Sequence, residues 1–410
     1  MNGIQLVCRS MRALLMIASI GFLMACVHLG PYRVAEKPCQ LDDEACNASA
    51  NELYRSAGNG SVSIVELDDQ GRPAKSEQIA WAEKALSRYD KADHLAVLVF
   101  VHGWHHDARQ NDKNLREFVK AVDQLQTTAS TLKQTVHGIY IGWRGESISV
   151  PGVNVLTFWD RKNSAHEVGE TATDIFLRLD SAARAVDATR VYIGHSFGGA
   201  VVYSALNQLM IERSMRMQGL AEAERSADAR RSVAELVVLV NPAFEAMKTV
   251  PLVPLTSGFA ACRPWLVSFT AENDWATGTT FPAGRFFNTL FESYADITVD
   301  ANDPTLRNLS ERRLDYTALG HMTELQTHDL SQHAVGAESK GMAAYKTGCD
   351  SNASIALGST VLTPRKPNAN RLSFWNVYVE DDQIIDGHNG IWKPIFVEAL
   401  SELVMQHVTR

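Results

Sequence analysis

The segment Gly194-His195-Ser196-Phe197-Gly198 constrains the fold of this chain more than any other stretch. A short β-branched and aromatic run, residues 190–193, leads into it, and an apolar, helix-compatible run, residues 199–218, follows at once. That context predicts a strand, a sharp turn and a helix, with Ser196 at the apex. A serine held there stands clear of the sheet on strained backbone. The positions two before and two after it crowd the turn, so both must lack a Cβ. Gly194 and Gly198 fill them. Without the flanking strand and helix, the same letters would describe a glycine-rich loop with an incidental serine.

The rest of the chain supports such a turn. Apolar residues make up 45% of 410, enough for a full-sized core. Strand-like runs occur at 61–67, 95–101, 136–143, 190–193, 235–240, 265–270 and 374–379, several of them continuously apolar, as parallel strands covered on both faces are. Helix-like runs at 114–125, 165–185, 199–218 and 394–407 lie between them. The alternation predicts an α/β fold with a mostly parallel sheet and right-handed crossovers. Residues 26–60 lack a sustained period and read as a tether and irregular lead-in. Residues 277–372 show no clear strand, and a structureless stretch that long is improbable in one domain. They are expected to form a helical lid over the sheet's active end.

A serine hydroxyl is a weak nucleophile until a base takes its proton. If the partners follow in the order serine, acid, base, both lie after residue 196. Asp274 stands just past the strand at 265–270, with Glu272 and Glu245 as rival acids. His388 lies on a loop between the strand at 374–379 and the last helix, flanked by Gly387 and Gly390. His321 is the alternative base, with His328 behind it. The strand at 95–101 runs into His102-Gly103-Trp104-His105-His106-Asp107. A backbone amide there, on Trp104, and that of Phe197 are the expected oxyanion donors. The histidine-rich loop also invites a metal reading, but no second cluster with ligand spacing completes a site, so no metal or cofactor is expected.

With Gly194-His-Ser-Phe-Gly-Gly199, Phe100-Val-His-Gly-Trp-His105 and Gly142-Trp-Arg-Gly145 in place, residues 61–410 resemble the alpha/beta-hydrolase superfamily, in particular its bacterial esterase-like members. The resemblance implies hydrolysis of a small carboxylic ester by a Ser196–Asp274–His388 triad, without a cofactor. Thioester or amide cleavage on the same triad, or a non-catalytic binding module, are the alternatives it leaves. The gap from Asp274 to His388 is long for a minimal member. Trp143, Phe158 and Trp159 line an acyl pocket on this reading, or else are ordinary aromatic core.

The N-terminus reads as an export signal. Arg9 and Arg12 precede the apolar run 13–25, which ends Leu23-Met24-Ala25-Cys26, a tetrapeptide resembling a bacterial lipobox. Cleavage after residue 25 and lipidation of Cys26 would tether the protein to a membrane of the cell envelope. Two disulfides, Cys39–Cys46 and Cys262–Cys349, would then be compatible with an oxidising compartment. The formal charge is −8 with no basic stripe, which argues against a nucleic-acid partner.

Overall fold

The computed structural model describes residues 30–56, 60–131, 133–143, 154–221, 224, 228, 231–255, 263–288, 292–300, 303–333, 340–341 and 352–408, without the side chains of 154–161, 286–288, 340–341 and 408. The signal run, Cys26, Cys262 and Cys349 lie outside the described residues, as do the side chains of Phe158 and Trp159.

Continuous apolar runs form the middle of the sheet. In chain order the strands are β1 (Ala35–Gln40), β2 (Ala50–Tyr54), β3 (Ser61–Glu66), β4 (Leu95–Val101), β5 (Thr135–Gly142), β6 (Thr189–His195), β7 (Leu236–Val240), β8 (Leu266–Ala271), β9 (Asp296–Ile297), β10 (Leu309–Ser310), β11 (His328–Gln332), β12 (Lys340–Gly341), β13 (Ile355–Leu357), β14 (Thr360–Pro364) and β15 (Phe374–Val379). Among the described residues, thirteen of them make one sheet ordered β1-β2-β3-β5-β4-β6-β7-β8-β15-β11-β14-β13-β12, while β9 and β10 pair separately. From β3 to β11 every neighbouring pair in that order is parallel. β4, β6 and β7 are buried at every position, and β4 and β7 accordingly read as unbroken apolar runs.

Helices cover both faces. The main ones are α1 (Glu77–Leu86), α2 (Lys113–Thr131), α3 (Asn154–Thr171), α4 (Thr173–Ala185), α5 (Phe197–Gln218), α6 (Phe281–Asn288) and α7 (Pro394–Val408). α1, α3, α4 and α5 pack into one apolar layer, and α2 and α7 into the other. β4 sits between β5 and β6. The chain therefore leaves β4 through α2 toward β5 on one face, and leaves β6 through α5 toward β7 on the opposite face. Loops that depart in opposite directions from adjacent parallel strands open a crevice at their carboxyl ends. Residues 102–112 and Ser196 lie there.

Two expectations need correction. Residues 26–60 are not all tether: β1, a helical turn at Glu44–Asn47 and β2 extend the sheet, and Cys39 and Cys46 are joined by a disulfide. The anchor is Arg33, whose guanidinium is fully buried and donates to the Ala108 and Ala50 carbonyls and to Asn47. Nor is 277–372 a helical lid throughout. α6 and a short helix at Glu311–Tyr316 are helical as expected, but β11, β13 and β14 lengthen the sheet beyond β15. All three are short, and β11 and β14 carry polar residues among their apolar ones, the usual look of strands near a sheet margin.

Candidate active site

Ser196 follows β6 directly and precedes α5. Its backbone takes φ 56° and ψ −120°, which a non-glycine residue adopts only when its surroundings impose it. The surroundings do so through backbone contacts. Its N–H donates to the Val240 carbonyl at 3.0 Å, and its carbonyl accepts from Gly199 and Ala243. A Cβ on Gly194 would stand 2.6 Å from the Gly198 carbonyl oxygen, and one on Gly198 would stand 2.1 Å from that of Val101. Neither contact is possible, so both glycines are obligatory.

The structure brings Ser196, Asp274 and His388 together. His388 Nε2 lies 2.7 Å from Ser196 Oγ, and His388 Nδ1 lies 2.8 Å from Asp274 Oδ2. The carboxylate only accepts, so Nδ1 carries the ring proton and Nε2 offers its lone pair to the serine hydroxyl. Asp274 is 1% exposed. Burial alone would raise its pKa. The hydrogen bond and charge of His388, with two bonds from Thr277, outweigh burial and hold the carboxyl below the usual range. Asp274 also caps the helical turn that follows it. Its Oδ1 accepts from the Ala276 and Thr277 amides, and its Oδ2 from the Thr277 hydroxyl at 2.6 Å. That turn, Ala276–Thr280, is π-helical.

Gly103 lets the loop after β4 reach the serine, since a Cβ there would lie 2.8 Å from Ser196 Cβ. His102 shapes this loop and is fully buried. Its Nδ1 donates to the Gly103 carbonyl at 2.8 Å, and its Nε2 accepts from the Trp143 amide at 3.0 Å. Burial lowers its pKa to about 4, so it stays neutral and both nitrogens remain committed to backbone. With the Gly103 carbonyl turned to His102, the N–H of the same trans peptide, on Trp104, points the other way. The Trp104 ring packs against Phe197 at 6.4 Å and on His105 at 3.9 Å. Trp143 is 1% exposed and donates to the His102 carbonyl, so it belongs to the core that supports this loop.

The rival residues are placed differently. Glu272 is exposed on the turn before Asp274. Glu245 is buried in ion pairs with Lys162 and Arg285. His328 is fixed inside the sheet between Thr327 and Asn370. His321 bonds the Thr277 hydroxyl at 3.0 Å.

Two residues that the sequence did not single out hold the His388 loop. Asn241, at the end of β7, donates from Nδ2 to the carbonyls of Gly387 (3.0 Å) and His388 (2.9 Å), and its Oδ1 accepts the Ala271 amide. His195 Nε2 donates to the same His388 carbonyl at 2.9 Å. Burial, then the neighbouring His388, lower the His195 pKa to about 3. Both act on backbone atoms far along the chain, and no sequence motif marks such a contact.

Among the described residues, no helix is long and apolar enough to cross a membrane. Comparison with protein-family models, with curated proteins and with solved structures finds no match for this chain.

Proposed function

We propose that this protein is a serine hydrolase of the alpha/beta-hydrolase type that cleaves carboxylic esters through an acyl-enzyme. The observation that carries this reading is the unbroken chain Ser196 Oγ–His388 Nε2, His388 Nδ1–Asp274 Oδ2, at 2.7 and 2.8 Å, on a serine held at φ 56°. In the proposed reaction His388 takes the Ser196 proton as Oγ attacks the ester carbonyl. It then returns that proton to the leaving alcohol. Asp274 keeps the ring in the tautomer that leaves Nε2 free to accept, and stabilises the imidazolium. The amides of Phe197 and Trp104 are the proposed donors to the oxyanion. The N-terminus of α5, directly behind Ser196, adds the positive end of its dipole. Water then repeats the sequence on the acyl-enzyme.

On the same reading, the N-terminal signal exports the protein and a lipid on Cys26 holds it at a membrane. The support is the tetrapeptide Leu23-Met24-Ala25-Cys26 after Arg9, Arg12 and an apolar run.

The test of the chemistry is Ser196→Ala beside wild type, with turnover of a p-nitrophenyl ester and labelling by a fluorophosphonate. The variant should fold, lose labelling, and drop in kcat by roughly a thousandfold or more. A folded Ser196→Ala protein that keeps most of its activity removes the assignment.

A further inference from the structure

Asp274 Oδ2 receives two donors, and the second has a partner of its own. The Thr277 hydroxyl, 2.6 Å from Oδ2, carries one proton. An ionised carboxylate only accepts, so that proton points at Asp274. His321 Nε2 lies 3.0 Å from the same hydroxyl oxygen. With the hydroxyl proton already directed elsewhere, His321 must supply the proton of this second bond. Donation therefore runs from His321 to Thr277 to Asp274, and meets the donation from His388 at one carboxylate oxygen.

We propose that Thr277 and His321 are positioning residues that hold Asp274 Oδ2 on His388, an inference that rests on the triad reading above. The pair is built to be rigid. The turn Leu319–His321 is tied to the loop after β7, to the middle of β15 and to the end of β8: the Leu319 amide donates to the Phe244 carbonyl, Asn376 Nδ2 donates to the Leu319 carbonyl, and Gly320 packs so closely on Thr270 that a Cβ would fall 1.7 Å from its hydroxyl. On the other side, an added Cβ at Gly278 would stand 3.2 Å from the His321 ring, so glycine there leaves just the space the ring occupies. Each donor in the chain polarises the next. The carboxylate is thereby fixed in the rotamer that faces His388 while the imidazolium forms and discharges. Neither residue contacts Ser196 in this arrangement. Their loss should therefore appear in kcat and leave KM within about twofold.

The experiment compares Thr277→Val, His321→Ala, His321→Gln and the Thr277→Val/His321→Ala double variant. It measures kcat and KM on a p-nitrophenyl ester, fluorophosphonate labelling rate and thermal midpoint. Thr277→Val should lower kcat and labelling rate by about tenfold, the worth of one hydrogen bond to a charged group. His321→Ala should fall in the same direction by less. His321→Gln, whose amide can donate to Thr277, should recover most of that loss. The double variant should be no slower than Thr277→Val, because His321 acts only through the hydroxyl. Wild-type kcat in folded His321→Ala overturns the proposal. So do an undiminished effect of His321→Ala in the Thr277→Val background and a change confined to KM. Should Thr277→Val fail to fold, His321→Ala and its recovery by His321→Gln decide the matter alone. Failure of the triad itself reads differently: Ser196→Ala would then remain active, or wild type would not label. Loss of turnover in His321→Ala with activity kept in His388→Ala would reassign the base to His321 and overturn the positioning role.

Discussion

At the scale of single residues, His388, the proposed base, is held by its own backbone as much as by its ring. The His388 carbonyl accepts from both His195 and Asn241, and Asn241 also ties the Gly387 carbonyl and the Ala271 amide. The Asn241 side chain therefore links the end of β7, the end of β8 and the His388 loop. Asn241→Asp keeps the shape and the acceptor for Ala271, but puts an oxygen where two carbonyls need a donor. It should cost roughly ten- to a hundredfold in kcat, together with a lower thermal midpoint, since unmatched buried polar groups cost about 1–3 kcal/mol each. Steady-state kinetics beside a melting curve checks this, and full kcat in Asn241→Asp would remove the positioning role. Ser196, Asp274 and His388 were legible in the sequence as candidates because each lies on the segment that follows a recognisable strand. Asn241, His195 and Thr277 were not. Their chemistry is a contact with backbone or with a second side chain, and only the fold brings those partners near.

At the scale of elements, legibility followed burial. The residue runs expected for β4 and β15 match the observed strands, and the others of the central sheet agree to within a few residues. Burial on both faces leaves an unbroken apolar signature. β1, β2, β11, β13 and β14 lie toward the sheet's margins, where short strands with mixed faces do not separate from loop by composition. The lead-in departs from its sequence pattern for a second reason: Arg33 is buried by bonds to Ala108 and Ala50, and nothing in a polar stretch announces a buried cation. The export-signal reading of residues 1–25 makes a separate prediction. If Cys26 carries a lipid, that lipid is the anchor after cleavage. Cys26→Ser should move the protein from the membrane pellet to the soluble fraction. A Cys26→Ser protein that still pellets after a salt wash would defeat the anchor.

At the scale of the whole molecule, buried histidines should set the acid limit. His102, His137, His328 and His407 have pKa values lowered by burial to about 4, and His195 to about 3, from an ordinary 6.5. In each, the folded value lies below the unfolded one. Between the two values the unfolded chain binds a proton that the native state refuses. Stability is therefore complete above pH 6.5 and lost as pH falls below it. Each such histidine contributes about 1.4 kcal/mol per pH unit once well below its unfolded value. The five together favour unfolding by roughly 7 kcal/mol per unit, against a total stability on the order of 5–15 kcal/mol for a domain. The carboxylates act in the same sense at lower pH. Asp112, Glu245 and Asp274 have lowered values, so their contribution is intact until the pH nears the ordinary carboxylate range. Acid unfolding should accordingly fall between about pH 4 and 6, below the ordinary 6.5 at which those histidines titrate in a free chain and at or above their folded values. It should also be steep, taking up several protons at once. Tryptophan fluorescence and near-UV circular dichroism from pH 8 to 3 would locate the midpoint. His328→Gln, which keeps a donor for Asn370 without a titrating ring, should make the transition shallower by one proton. Native tertiary signal retained at pH 4, or a one-proton transition in wild type, would mean that these histidines do not govern the acid limit.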